Sequence, residues 1–222
     1  MYVNIVASTQ AKVEAEDFIA YCARVSNPTN QNNDKTSSKL LAYLIRNQHW
    51  SPFEMASVTM EVNTTRDISR QILRHRSFSF QEFSQRYAES EDFTLRNTRF
   101  QDRKNRQNSI APDPNSHSHN TIDSHWHHHQ TEIIKRAKEA YRWALSVGIA
   151  KEQARAVLPE GNTETTLYMA GTLRSWIHYC QLRMGNGTQK EHQEIAEMCW
   201  RKLGCLYPNV VAACEQEMHF YG

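Results

Sequence analysis

Scarcity of glycine constrains this chain more than any other single feature. It has seven glycines in 222 residues, and "GNG" at 185–187 completes neither a Gly-x-Gly-x-x-Gly turn nor a P-loop. A phosphate, if one is bound, must be gripped by side chains and not by the amides of a Gly-rich turn. The strand–helix alternation of a parallel βαβ sheet is also missing, and no segment repeats.

What remains is a helix-rich pattern around a few strands. Residues 11–26 and 35–48 carry helical periodicity, the second with Leu40, Leu41, Leu44 and Ile45 on its buried side. Pro52 interrupts "HWSPFE". Val58, Met60 and Val62 then alternate with Thr59 and Glu61, the period of a half-buried strand. Thr64 and Asp67 stand at capping-box spacing before a short helix, and Thr188 and Glu191 do so before a helix over 188–204. Residues 97–123 are polar, hold two prolines and show no period, which predicts a long loop. A long helix is expected from about Ser124 to Gly148, with Ile133, Ala137, Tyr141 and Ala144 on one stripe. "KEQARAVLP" predicts a short helix that stops before Pro159, residues 163–171 a strand, and residues 172–185 another helix. The expected class is α+β: one domain over 1–222, with a small antiparallel sheet flanked by helices.

Bulk properties narrow the function classes. Lys plus Arg number 26 against 24 Asp plus Glu, so there is no global basic field of the nucleic-acid-binding kind. No apolar run approaches a membrane span, and "MYVNIVASTQ" does not read as a signal peptide. Five cysteines, odd in number and without a Cys-x-x-Cys pair, predict reduced thiols and a cytoplasmic location.

Against that neutral background, "RQILRHRSFSFQEFSQRYAES" at 70–90 packs four arginines, a histidine and four serines among aromatics. On a helix, Arg66, Arg70 and Arg74 recur every four residues and share a face. Arginine forks suit phosphate and carboxylate, Glu82 can accept from a ring N–H, and Phe78, Phe80 and Phe83 can stack on a flat ring. A phosphorylated base matches this set. The plain alternative is a surface arginine helix with weak ion pairs, but Arg-His-Arg lies among apolar residues, where uncompensated charge is costly.

"RHRSFSFQEFSQRY" resembles the signature of flavin-dependent thymidylate synthases: Arg-His-Arg, seven residues, Ser, one residue, Arg, here Arg74, His75, Arg76, Ser84 and Arg86. "CARVS", "HWSPFE", "ARAVLP" and "LRSWIHYCQLR" resemble further blocks of the family in the same order, so the likeness covers most of the chain. The resemblance implies that Arg74, His75 and Arg76 contact FAD, joined by Ser26, His49, Ser51, Glu82, Thr172, Arg174 and His178. It implies a dUMP pocket lined by Gln71, Arg74, Glu82, Ser84, Gln85, Arg86 and Arg155, with Arg183 polarising the uracil ring as the catalytic residue. His49 and Ser51 would come from a neighbouring subunit of a homotetramer whose active sites lie at subunit interfaces. Gln81, Gln85, Thr172 and His178 depart from residues common in the family.

The implied reaction is reductive methylation of dUMP to dTMP. Methylenetetrahydrofolate supplies the carbon and FAD, reduced by NADPH, the hydride. No cysteine nucleophile is expected, since none of the six prolines precedes a cysteine, and Cys180 reads as core. Helical spacing adds an independent point: Arg174 and His178 share a face, whereas Arg183 points away by roughly half a turn.

Two other features compete. Six of the eleven histidines fall between His117 and His129, with His125 and His129 at i, i+4, a spacing that can bind metal; without cysteine, a solvated tract is the expectation and no metal is assigned. "RNTRFQDRKNR" at 96–106 is a basic loop with one aromatic, suited to nucleic acid or to a dinucleotide's phosphates; no nucleic-acid partner is assigned.

Overall fold

The computed structural model describes residues 1–217. Its elements are strands β1 (Tyr2–Ser8), β2 (Ser57–Thr65), β3 (Ser79–Glu82), β4 (Phe100–Gln101), β5 (Ser109–Ile110) and β6 (Glu164–Thr172). The helices are α1 (Ala15–Ala23), α2 (Ser37–Arg46), α3 (Arg66–Ile72), α4 (His117–Ser146), α5 (Lys151–Ala154), α6 (Leu173–Met184), α7 (Lys190–Leu206) and α8 (Pro208–Glu217). The main sheet has the order β1-β2-β6-β3. Leu173 N–H donates to Ala56 O at 2.8 Å and Arg66 N–H to Thr163 O at 3.0 Å, so β2 and β6 run antiparallel. This is the expected α+β class with a small antiparallel sheet and helices.

The chain forms two compact units. The first holds Met1 and residues 63–74 and 81–167; the second holds residues 2–62, 75–80 and, of the described chain, 168–217.

In the second unit the core follows from period-matched patterns. Val58, Met60 and Val62 are buried on β2, as the alternation predicts. Helix α7 buries His192, Ile195, Ala196, Cys199, Trp200 and Leu203, one continuous stripe. Helices α6 and α7 pack together, α7 meets α8, and α2 meets α8. Trp176 is fully buried, and its indole N–H donates to Val58 O at 3.0 Å, which removes the cost of burying that donor. Strand β1 and helix α8 carry no expectation from sequence.

In the first unit, α4 packs on α5 through Tyr141, Ala144 and Ala154, with Leu145 and Leu158 beside them. The expected loop over 97–123 is shorter in fact. Phe100 pairs with Ile110 and Gln101 with Ser109 in an antiparallel ribbon, and α4 begins at His117. Ser116 caps it by accepting from His119 N–H at 3.3 Å, while Thr121 and Ser124 donate back to carbonyls one turn earlier. That first stretch has no apolar stripe, so periodicity could not reveal it. The expected stripe of α4 is also corrected: Ile133 is exposed and Gln130 is buried. Gln130 can be buried because its amide donates to Arg96 O and accepts from Arg96 N–H, at 3.0 and 2.7 Å. Gly148 follows the helix at φ 85°, a conformation that favours glycine, and Ile149 N–H closes the end on Ala144 O.

Neither predicted capping box forms. Thr65, not Thr64, precedes α3 and its hydroxyl donates to Asp67 instead; Gln189, not Thr188, precedes α7 and makes no side-chain cap.

Candidate active site

In the first unit Glu82 gathers a set of donors. Its carboxylate, with the side chain 14% exposed, accepts from Ser69 Oγ at 2.8 Å, Thr165 Oγ1 at 3.1 Å and Arg70 Nη1 at 3.2 Å. Arg66 Nη1 stands 3.8 Å away. Arg66 and Arg70 also reach Glu160, at 3.6 and 3.2 Å, so the predicted arginine face of α3 is real for these two. Arg66 is almost wholly buried. Its Nε and Nη1 lie in ion-pair range of carboxylates but too far for hydrogen bonds. Arg74, expected on the same face, lies past the end of α3 and is exposed. Gln71 is half-buried near that end.

Ser84, Gln85 and Arg86 follow on a turn. Ser84 Oγ accepts from Arg86 N–H at 3.3 Å. Gln85 is buried, and its Nε2 has no hydrogen-bond partner among the described residues. Arg86 and Arg155 meet at one residue: Arg86 Nε lies 3.3 Å from the Glu152 carboxylate, and Arg155 Nε donates to Glu152 O at 3.3 Å.

In the second unit, helix α6 sorts its polar groups as the spacing predicts. Thr172 caps it, its hydroxyl accepting from Ser175 N–H at 3.3 Å. Arg174 pairs with Glu54, and one turn on His178 stands edge-on to Trp50, with ring centroids 4.7 Å apart. Burial, then the nearby Arg174 charge, holds His178 below the ordinary imidazole range. Arg183 turns elsewhere, and its Nε donates to His75 Nε2 at 2.9 Å. An accepting Nε2 carries no proton, so this geometry belongs to the imidazole with its hydrogen on Nδ1.

His75 packs on the Tyr179 ring, near a second aromatic pair. Its ring is perpendicular to Tyr179 at 4.9 Å, and Phe78 packs edge-on against Trp176 at the same separation. Gly171 is required here, since a Cβ would collide with the Phe78 ring. Tyr179 and His192, both buried, are 3.2 Å apart through the hydroxyl and Nε2. Burial, with Arg183 and His75 nearby, pushes His192 down to about 3.

Sequence reasoning missed His192, Ser69 and Thr165. A signal existed for the first: it falls on the Ile195–Ala196–Cys199 stripe of α7, where a histidine must be buried. Ser26, His49, Ser51 and Arg76 are exposed. Cys180 is fully buried and burial drives its thiol well above the ordinary value, as core placement predicts. The histidine tract lies on the first turns of α4, and no three His, Cys, Asp or Glu side chains among the described residues could hold a metal ion. No helix among them is long and apolar enough to cross a membrane.

Comparison with known proteins puts this arrangement in context. Residues 6–209 match the family model described as thymidylate synthase complementing protein. A probable flavin-dependent thymidylate synthase of Paramecium bursaria Chlorella virus 1 is 47% identical over 97% of this chain and 99% of its own length. The flavin-dependent thymidylate synthase of a Synechocystis strain is 48% identical over 90% of this chain and 89% of its own. The crystal structure of PolB from Streptomyces cacaoi, a UMP/dUMP methylase bound to 5-Br dUMP, superposes with a TM-score of 0.81 at 28% identity, over 96% of this chain and 94% of that one. By this breadth of match, the chain belongs to the flavin-dependent thymidylate synthase family.

Proposed function

We propose that this protein catalyses the reductive methylation of dUMP to dTMP for DNA precursor synthesis. Methylenetetrahydrofolate is the carbon donor, and FAD reduced by NADPH the hydride carrier. One observation carries the reading: Arg183 and His75, from two sequence blocks 108 residues apart, meet in a hydrogen bond that holds a cation on an imidazole.

The donor set suits a flavin. His75, His178 and Arg174 combine acceptors and donors with the rings of Trp50 and Phe78, the chemistry a flat heteroaromatic ring needs. Arg74, Arg76, Ser26 and Thr172 complete the assigned contacts. The flavin, when bound, supplies hydride chemistry that no side chain here can perform.

The chain's own residues orient and polarise. Arg183 uses Nε on His75 and keeps its remaining donors for a uracil carbonyl, where they stabilise the enolate-like charge that builds as the ring carbon attacks. Glu82, immobilised by its donors, accepts from a ring N–H. Ser84, the backbone at Gln85, Arg86 and Arg155 hold the phosphate, with Gln71 and Arg74 lining the pocket. No thiol need attack the ring, and Cys180 and Cys199 are buried with their thiols held protonated. His49 and Ser51 are exposed, which suits presentation to a neighbouring subunit in a homotetramer. Reduced thiols suit the cytoplasm.

The test is release of tritium from dUMP labelled at C5, in purified protein supplied with FAD, NADPH and methylenetetrahydrofolate. Flavin absorption bands and folate-dependent tritium release are expected. A protein that takes up no FAD and leaves dUMP unchanged would end this reading.

A further inference from the structure

We propose that Tyr179 and His192 form a buried positioning pair that holds the His75 ring as the acceptor for Arg183. The pair itself touches neither ligand. The inference rests on the reading of Arg183 as the group that polarises uracil.

Four contacts, all within the second unit, make a chain. His192 Nε2 and the Tyr179 hydroxyl are 3.2 Å apart. The Tyr179 ring stands at 84° to His75, and His75 stands at the same angle to His192 at 6.3 Å. Arg183 Nε closes the chain on His75 Nε2. Tyr179 is also held at 5.9 Å by both Phe78 and Trp176, so its ring is packed on several sides. An imidazole lone pair lies in the ring plane, so the orientation of His75 sets the direction from which Arg183 can donate. Tyr179 fixes that orientation, and His192 fixes Tyr179 by joining its buried hydroxyl. Burial keeps His192 neutral and raises Tyr179 well above the ordinary phenol value, so neither adds a charge that would compete for the guanidinium.

Arg183 is thereby anchored by a neutral partner. A carboxylate in the place of His75 would hold the guanidinium as firmly but cancel the charge the uracil needs. Sequence alone places Tyr179 beside Cys180 on an apolar helix side and leaves His192 unremarked, so the pair emerges only from the packing of α6 on α7.

The test uses the flavin-loaded protein and four variants. Tyr179→Phe keeps the ring and removes the hydroxyl; His192→Gln keeps a polar partner, and His192→Leu removes it. Arg183→Lys removes the fork. Tyr179→Phe and His192→Leu should lower kcat for dTMP formation about tenfold while the KM for dUMP stays within about twofold, because orientation and not ground-state binding is lost. His192→Gln should stay within about threefold of the parent, since its amide can still meet the Tyr179 hydroxyl. In the Arg183→Lys background, Tyr179→Phe should add less than about twofold, as residues acting through one another are not additive. Multiplying losses, or His192→Gln failing as badly as His192→Leu, would overturn the proposal.

A second readout does not depend on turnover. Side-chain 15N spectra of histidine-labelled protein should show His75 as one tautomer with Nε2 unprotonated, assigned with a His75→Gln variant. That signature should blur in Tyr179→Phe and persist in His192→Gln. An unchanged His75 signal in Tyr179→Phe overturns the positioning role even if dTMP is made. A parent protein that makes no dTMP but shows the tautomer change keeps the pair and sinks the functional reading instead. Should Tyr179→Phe fail to fold, the two His192 variants carry both readouts.

Discussion

Around Glu82 a carboxylate gathers Arg66, Arg70, Ser69 and Thr165; at His75 an arginine is held by an imidazole whose ring packs on Tyr179, and no salt bridge joins Arg183 to a carboxylate among the described residues. The first cluster neutralises its cations. Arg66 and Arg70 each stand between Glu82 and Glu160, so Glu82 is a rigidly held acceptor. The second cluster leaves its cation whole, and what it offers is charge. A single chain thus prepares an acceptor and a donor by opposite electrostatic means.

The contrast can be broken most forcefully at Glu82. Replacing it with Ala leaves the buried Arg66 with the half-exposed Glu160 as its remaining carboxylate among the described residues and should destabilise the fold by about 3–5 kcal/mol, read from the urea midpoint. A loss under 1 kcal/mol would mean that water already compensates Arg66. Arg183→Ala should cost little stability yet slow tritium release by about 10²–10³-fold with flavin still bound, the scale of removing one preorganised donor. Equal losses in folding and turnover would make Arg183 structural.

His192 sharpens the comparison through pH. The unfolded imidazole takes up a proton near 6.5, whereas the folded one resists until about 3. Stability should therefore fall as pH drops below about 6.5, and the loss should level off near 3. From pH 7 to pH 5 this group accounts for about 2 kcal/mol, and His192→Gln should remove that part of the slope in parallel denaturant titrations. Identical slopes would show that the folded imidazole titrates normally. The smallest effect belongs to Glu152→Gln. Its pair with Arg86 is about half exposed, so stability should change by no more than about 0.5 kcal/mol in the same assay.

The candidate site was read from the sequence unevenly. Arg74, His75, Arg76, Ser84 and Arg86 stand out because a dense polar segment among aromatics needs a chemical reason. Arg174, His178 and Arg183 separate by helical angle, and they do face different partners. The start of α4 was not legible, because its first turns are held by Ser116 and back-bonding hydroxyls and not by an apolar stripe. Ile133 was misplaced because Gln130, satisfied by the Arg96 backbone, took the buried position.

By itself the amino-acid sequence determined the α+β class and most of the helices and strands with a clear period, among them β2, β6, α6 and α7. These follow from local period and residue type, which need only a few neighbours along the chain. The tertiary structure alone decided who holds whom: Glu82 with Thr165 across 83 residues, Arg183 with His75 across 108. Such pairings depend on which faces pack and at what angle, and no local pattern records that choice.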